Sequence, residues 1–249
     1  MKLLNAPIIE MVLDIDCDMP PNFDLISLEK TATAFLSPKY PKARKQLVEQ
    51  HIFQHQEDQP TGHSTNRSIQ AVQFLQETGN QITQIIQFRT QGFSFNRLKP
   101  YSSFDDYIPE IEAMWQYFVT SASPLQIRAI RLRYINRIEI PLTPQGIELN
   151  AYFNRMPEAP HEDLIVSGFL FQYSAIDKNS EDQVSVVLTT QPLENNMAPF
   201  IFDNTAFWAG NHPPQDWAWI LSKIMALREL KNRVFDNTLT KQCVSLFQQ

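Results

Sequence analysis

The stretch RAIRLRYINRIEIP, residues 128–141, sets Arg128, Arg131, Arg133 and Arg137 into a run of apolar residues. A guanidinium is a fixed cation whose donors form a planar fork, so it can grip a carboxylate or phosphate with two bonds at once. Read as a strand, Ile130, Leu132, Tyr134, Ile138 and Ile140 take one face; Arg131, Arg133, Arg137 and Glu139 take the other, with Ile135. Asn136 falls on the apolar face. Left unpaired there it would cost about 1–3 kcal/mol, so a bonded, buried amide is expected rather than a ligand contact. An earlier stretch, PIIEMVLDIDC (7–17), carries the opposite charges: Glu10, Asp14 and Asp16 alternate with Ile9, Met11, Leu13 and Ile15. Two chemistries follow. If the strands are neighbours, the rows cancel as cross-strand ion pairs, each contributing about 0.2–1 kcal/mol. If instead the arginines line a groove, Arg131, Arg133 and Arg137 would hold a small anionic ligand.

Other residues of reactive type have the wrong surroundings. DIDCD (14–18) follows an apolar strand, as the nucleophile motif of haloacid-dehalogenase-type phosphotransferases does, but lacks the Thr or Val that such a motif needs. As a calcium loop it has Met19 where glycine is required and Leu25 where glutamate is required. His51 and His55 are four apart, near Glu57, Asp58 and His63, but HIFQH lacks the glutamate of a zinc-protease helix. Surface histidines are the expectation, and no metal site. GFSFNRL (92–98) loosely matches an RNA-binding strand, with Phe93 and Phe95 as stacking rings; alternating phenylalanines are more often core. Lys39, Lys42, Arg44 and Lys45 form a basic patch that could equally be a solvated helix flank.

Composition narrows the classes. Twenty-seven acids against 21 Lys and Arg give a net charge of −6, which weighs against a phosphate backbone as main partner. Six glycines are few, and neither GxxxxGK[ST] nor GxGxxG occurs, so no nucleotide cofactor is expected. Two distant cysteines, Cys17 and Cys243, suit a reducing cytoplasm. No secretory leader or membrane-spanning run is read at the start MKLLNAPIIE or beyond.

The elements that must position these residues read as follows. Residues 7–17 form a strand. Two helical pieces are expected between Ser27 and His55, separated by SPKYP, and a polar loop over 55–68. Strands SIQAVQFLQ, NQITQIIQFRT and GFSFNRLKP follow, the first two joined by an ETGN turn. SSFDDYIPEIEAMWQYFVTSA is a helix capped by Ser103. The second half repeats the order: the arginine strand, a short helix near LNAYFNRM, strands EDLIVSGFLFQYSAI, DQVSVVLTTQP and APFIFDNTAFWA, and a helix over 212–236 with Trp217, Ile220, Ile224, Leu227 and Val234 on one face. The expectation is an α+β fold with mainly antiparallel sheet and helices on one face. It is built as a tandem duplication of a strand, helix, three strands, helix unit: 1–124 and 125–249, packed as one compact domain. The stretch LENNMAPFIFDNTAFWAGNHPP could offer Phe207 and Trp208 as anchors for a partner, or could be a core strand and loop.

Ala6-Pro7-Ile8-Ile9-Glu10, Arg133-Tyr134-Ile135-Asn136-Arg137 and Asn232 to Phe235 carry a likeness over essentially the whole chain. On them the sequence resembles a sporadically distributed family of bacterial proteins with no established activity. Patchy distribution of that kind implies association with mobile or defence-related gene sets. The function expected is a non-catalytic binding or adaptor protein of the bacterial cytoplasm, accessory to a protein partner, with a homodimer as one form. The alternatives are a sensor holding a small anionic ligand between the halves, or an enzyme whose site the sequence does not group. Glu10, Arg131, Arg133, Asn136, Arg137, Phe207 and Trp208 are the binding candidates; nucleic acid and membrane are not expected partners.

Overall fold

The computed structural model describes residues 3–54, 62–144, 146–157, 161, 163–164 and 166–248. The first half runs β1 (Ile8–Asp18), α1 (Leu25–Leu36), β2 (Lys42–Gln54), β3 (Gly62–Thr78), β4 (Gln81–Arg89), β5 (Gly92–Leu98) and α2 (Phe104–Ala122). The second runs β6 (Gln126–Pro141), a 3-10 turn at Leu149–Ala151, β7 (Leu170–Ile176), β8 (Gln183–Thr190), β9 (Met197–His212), α3 (Trp217–Thr238) and α4 (Lys241–Ser245). One antiparallel sheet contains all nine strands, in the order β2-β3-β4-β5-β1-β6-β9-β8-β7. The fold is α+β. Outward from the β1–β6 seam come β5, β4, β3 on one side and β9, β8, β7 on the other, so the two halves run outward in matching order. The sheet is continuous across the division at residue 124.

The helices cover a single face. Met11, Leu13 and Ile15 of β1 and Ile130 and Leu132 of β6 are fully buried in a cluster with Phe74, Phe88, Phe93, Phe95, Trp115 and Phe118. Burying each of these side chains contributes roughly 1.5–3 kcal/mol. A second cluster, around Ile138, Ile140, Phe153, Phe200, Phe202 and Cys243, lies at the far end of β6 and β9. Local signals set the helix ends. Asp24 accepts from the Ile26 N–H at 2.9 Å, and Ser103 accepts from the Asp105 N–H at 3.4 Å. Trp115 donates to the Pro214 carbonyl at 3.0 Å, tying α2 to the turn before α3. Gly79, at φ +63°, makes the β3–β4 turn. Gly92 leaves room for the Ile15 carbonyl, which any Cβ there would strike.

Four expectations need correction. Residues 42–54 are a strand, with thirteen residues paired to β3 from Lys42↔Leu75 to Gln54↔Gly62. Residues 41–51 are exposed, so neither period leaves a buried face to read. The expected polar loop over 55–68 is strand from Gly62 onward, and 55–61 lie outside the described residues. The helix near LNAYFNRM shrinks to the 3-10 turn, because Phe153 drops into the second core with its ring 5.2 Å from Phe200. The strand expected over 162–176 begins only at Leu170, where pairing to β8 begins, with Leu170↔Thr189. The first half therefore has four strands after its helix rather than three, and the second has a 3-10 turn where the first has α1.

Candidate functional site

The arginine strand lies against the acidic strand. β6 runs antiparallel to β1 with Asp14↔Arg131 and Val12↔Arg133 in register. Both charged rows point away from the helices, onto the open face. There each arginine meets a carboxylate of the chain. Arg131 pairs with Asp16, which also accepts from Arg89 at 2.8 Å. Arg133 donates to Asp203 at 2.9 and 3.0 Å, and this bond raises the guanidinium's affinity for its proton further. Arg137 reaches Glu139 at 3.0 Å and Glu194 at 2.5 Å. Ser94 donates to Asp14 at 2.5 Å. Glu10 accepts from Asn96 at 2.8 Å, and the chain continues to Gln87 at 2.8 Å, Gln73 at 2.7 Å and Arg44 at 2.5 Å. Five strands are thus laced by one polar row.

A shallow cavity of about 290 Å³ lies on this face, lined by Asp14, Arg131, Arg133, Ser185, Val187, Asp203 and Thr205. Two arginines and two aspartates leave it without net charge, so an anion entering would have to displace carboxylates already in place. Ion pairing within the chain is what this row does most directly.

The remaining candidates separate. Asn136 is 2% exposed and donates to the Phe202 carbonyl at 3.0 Å, as a buried amide should. Phe207 and Trp208, adjacent on β9, point to opposite faces: Phe207 sits opposite Arg131, while Trp208 packs at 4.9 Å and edge-on against Trp219. They do not form one anchor. Phe93 and Phe95 are fully buried, which rules out the RNA-type stacking surface. The basic patch is occupied: Lys39 meets Glu110 at 2.5 Å, Lys42 meets Glu77 at 2.7 Å and Lys45 meets Glu29 at 2.9 Å. His51 is on strand β2, and His55 lies outside the described residues. Among the described residues no three His, Cys, Asp or Glu side chains group to hold a metal, and no helix is long and apolar enough to cross a membrane. Burial pushes the Cys17 and Cys243 thiols up to about 12, so neither is an activated nucleophile.

Three features escaped the sequence reading. Lys231, 8% exposed, puts its ammonium 3.8 Å from the centre of the Tyr134 ring, and burial pulls its pKa down to about 7. Tyr134 shares a 3.0 Å bond with the Tyr101 hydroxyl, and Asn204 donates to the Lys231 carbonyl at 2.9 Å while its own oxygen has no partner among the described residues. A signal existed: Lys231 stands four residues after Leu227 and seven after Ile224, on the apolar stripe of α3. The second feature is the outer strand β7, LFQYSAI, which carries no charge and leaves Leu170 67% and Ile176 64% exposed. The third is a cavity of about 350 Å³ between α3 and the inner face of β7 and β8. Its lining comes from separate segments, so no motif announces it.

No family model, no curated protein and no solved structure matches the chain.

Proposed function

We propose that the protein is a non-catalytic binding protein, accessory to a protein partner, and that β7 receives an extended segment of that partner as an added strand. The observation that carries this reading is the contrast between the two rims of the sheet. An unpaired strand offers a row of free N–H and C=O groups, and proteins usually guard it with charge. β2 is guarded by Lys42, Arg44, Lys45 and Glu49. β7 has no charged residue and no proline, and among the described residues nothing pairs with its outer side. Backbone bonds would supply affinity there, and Leu170, Gln172 and Ser174 would supply selectivity. The family likeness adds a setting to the proposal: a bacterial cytoplasm and a defence-type gene set. The matching strand order of the two halves fits a tandem origin. An anion sensor built on Arg131, Arg133 and Arg137 is less favoured, since each of those cations is already paired.

The test is recovery of the tagged protein from its own cell, beside a Gln172→Lys/Ser174→Lys variant. A partner present in stoichiometric amount with the parent and lost from the variant, at unchanged thermal stability, is the expected result. A stoichiometric partner that stays with the variant, or none with either, overturns the β7 reading.

A further inference from the structure

The cavity against α3 is lined below by Val186 and Leu188 of β8, on one flank by Phe171 and Tyr173 of β7, and on the other by Leu230 and Val234 of α3. At its rim stand Arg155 and Arg233. The two aromatic rings lie 5.6 Å apart. Apolar walls that face one another across an open cleft forgo the dispersion contacts that a packed neighbour would give them. The first half shows what belongs there. Between α2 and β3, at the equivalent place, lies α1: Leu28, Ala32 and Leu36 are buried, and Phe35 stacks on Tyr117 of α2 at 4.2 Å. In the second half the segment after β6 forms only the 3-10 turn and sends Phe153 into a different core. The cavity is the place α1 would fill.

Its rim has charge to spare. Arg233 pairs with Asp177, whose side chain is 7% exposed. Arg155 is exposed and, among the described residues, has neither an ion pair nor a hydrogen bond. Among the described residues two guanidiniums stand there against one carboxylate, which contrasts with the neutral cavity on the open face. At about 30 Å³ per water-sized group, the space suits a body of about a dozen non-hydrogen atoms.

We propose that this cavity binds a small apolar monocarboxylate, its body against Phe171, Tyr173, Val186 and Leu188 and its carboxylate at Arg155 beside Arg233. The site stands apart from the proposed docking strand, since the ligand enters on the helix-covered side of the sheet and the partner would add at its rim. Either can fail without the other.

The experiment is calorimetric titration of the full chain with indole-3-acetate and decanoate, and with their neutral amides. At least one acid should bind, at least about tenfold tighter than its amide, since the charge-assisted pair is lost with the charge. Arg155→Ala, an exposed position, should erase most of that preference. Asn237→Trp, at the exposed rim, should block the cavity and abolish binding. The proposal is overturned by the absence of binding for both acids up to about 1 mM, where affinity would be only about −4 kcal/mol. Equal binding of acid and amide, or binding that survives Asn237→Trp, overturns it too.

Discussion

The two halves share a strand order and differ in what covers it. In the first, α1 closes the space between α2 and β3; in the second, a turn stands in for the helix and the space beside α3 is left empty. LISLEKTATAFL keeps Leu25, Leu28, Ala32 and Leu36 on one helical face behind an Asp24 cap. The corresponding stretch after β6 has Pro144, Gly146 and Pro157, which interrupt any helix of that length. A half of the same strand order can therefore be held without such a helix, with the second core around Phe153 and Phe200 anchoring the segment after β6.

The comparison can be broken most forcefully at Trp115. Trp115→Ala, on the filled side, should cost about 3–5 kcal/mol in chemical denaturation, because it opens a void and removes the bond to Pro214. A loss under about 1 kcal/mol would mean that the filled half is as loosely packed as the other.

Lys231 tests the junction of the halves. Its folded pKa of about 7 lies below its ordinary 10.5, so the folded state releases a proton that the unfolded chain keeps. Stability from this group therefore rises as pH goes from about 7 to about 10, and below 7 the burial cost of the charge is felt in full. That cost is on the order of 4 kcal/mol at pH 7. Lys231→Met should accordingly stabilise the protein there by about 2–4 kcal/mol, and the gain should shrink as the pH approaches 10. A variant that is less stable than the parent at pH 7 would refute the uncompensated charge.

A matched pair sharpens the contrast. Val72→Leu adds a methylene to the filled side and should cost about 1–3 kcal/mol. Val186→Leu adds the same group beside the cavity and should be neutral or stabilising by up to about 1 kcal/mol. Equal costs in thermal unfolding would remove the distinction between the halves. The smallest effect belongs to the open face. Arg133→Gln should cost about 1 kcal/mol or less, and the difference should fade in 1 M salt, at a screening length of about 3 Å.

The parts of this fold that were legible are those with one buried face. β1 and β6 alternate cleanly, so their faces and opposite charges could be read, and the inference that they are neighbours is met by the Asp14↔Arg131 register. α2 and α3 follow their helical stripes, and Pro109 sits inside α2 without ending it. β2 was illegible because residues 42–51 bury neither face; it is held by backbone pairing to β3 and by surface pairs such as Lys42 with Glu77. The cavity was illegible for another reason: its lining comes from separate segments, and most of those residues are ordinary core types. Lys231 could have been seen, since a lysine on the apolar stripe of a helix is unusual there.

The central seam also sets the order in which the molecule can be made. β3, β4 and β5 are joined by short turns, so they can form as soon as they are synthesised. β1 cannot gain its second neighbour until residues such as Ile130, opposite Ile15, have emerged. Its first neighbour β5 is complete at Leu98, so at about 5–20 residues per second the wait for the second is on the order of 2–6 seconds. Through it the middle strand of the finished sheet is a rim, and its Glu10, Asp14 and Asp16 guard it with charge until β6 arrives, bringing Arg131 to Asp16.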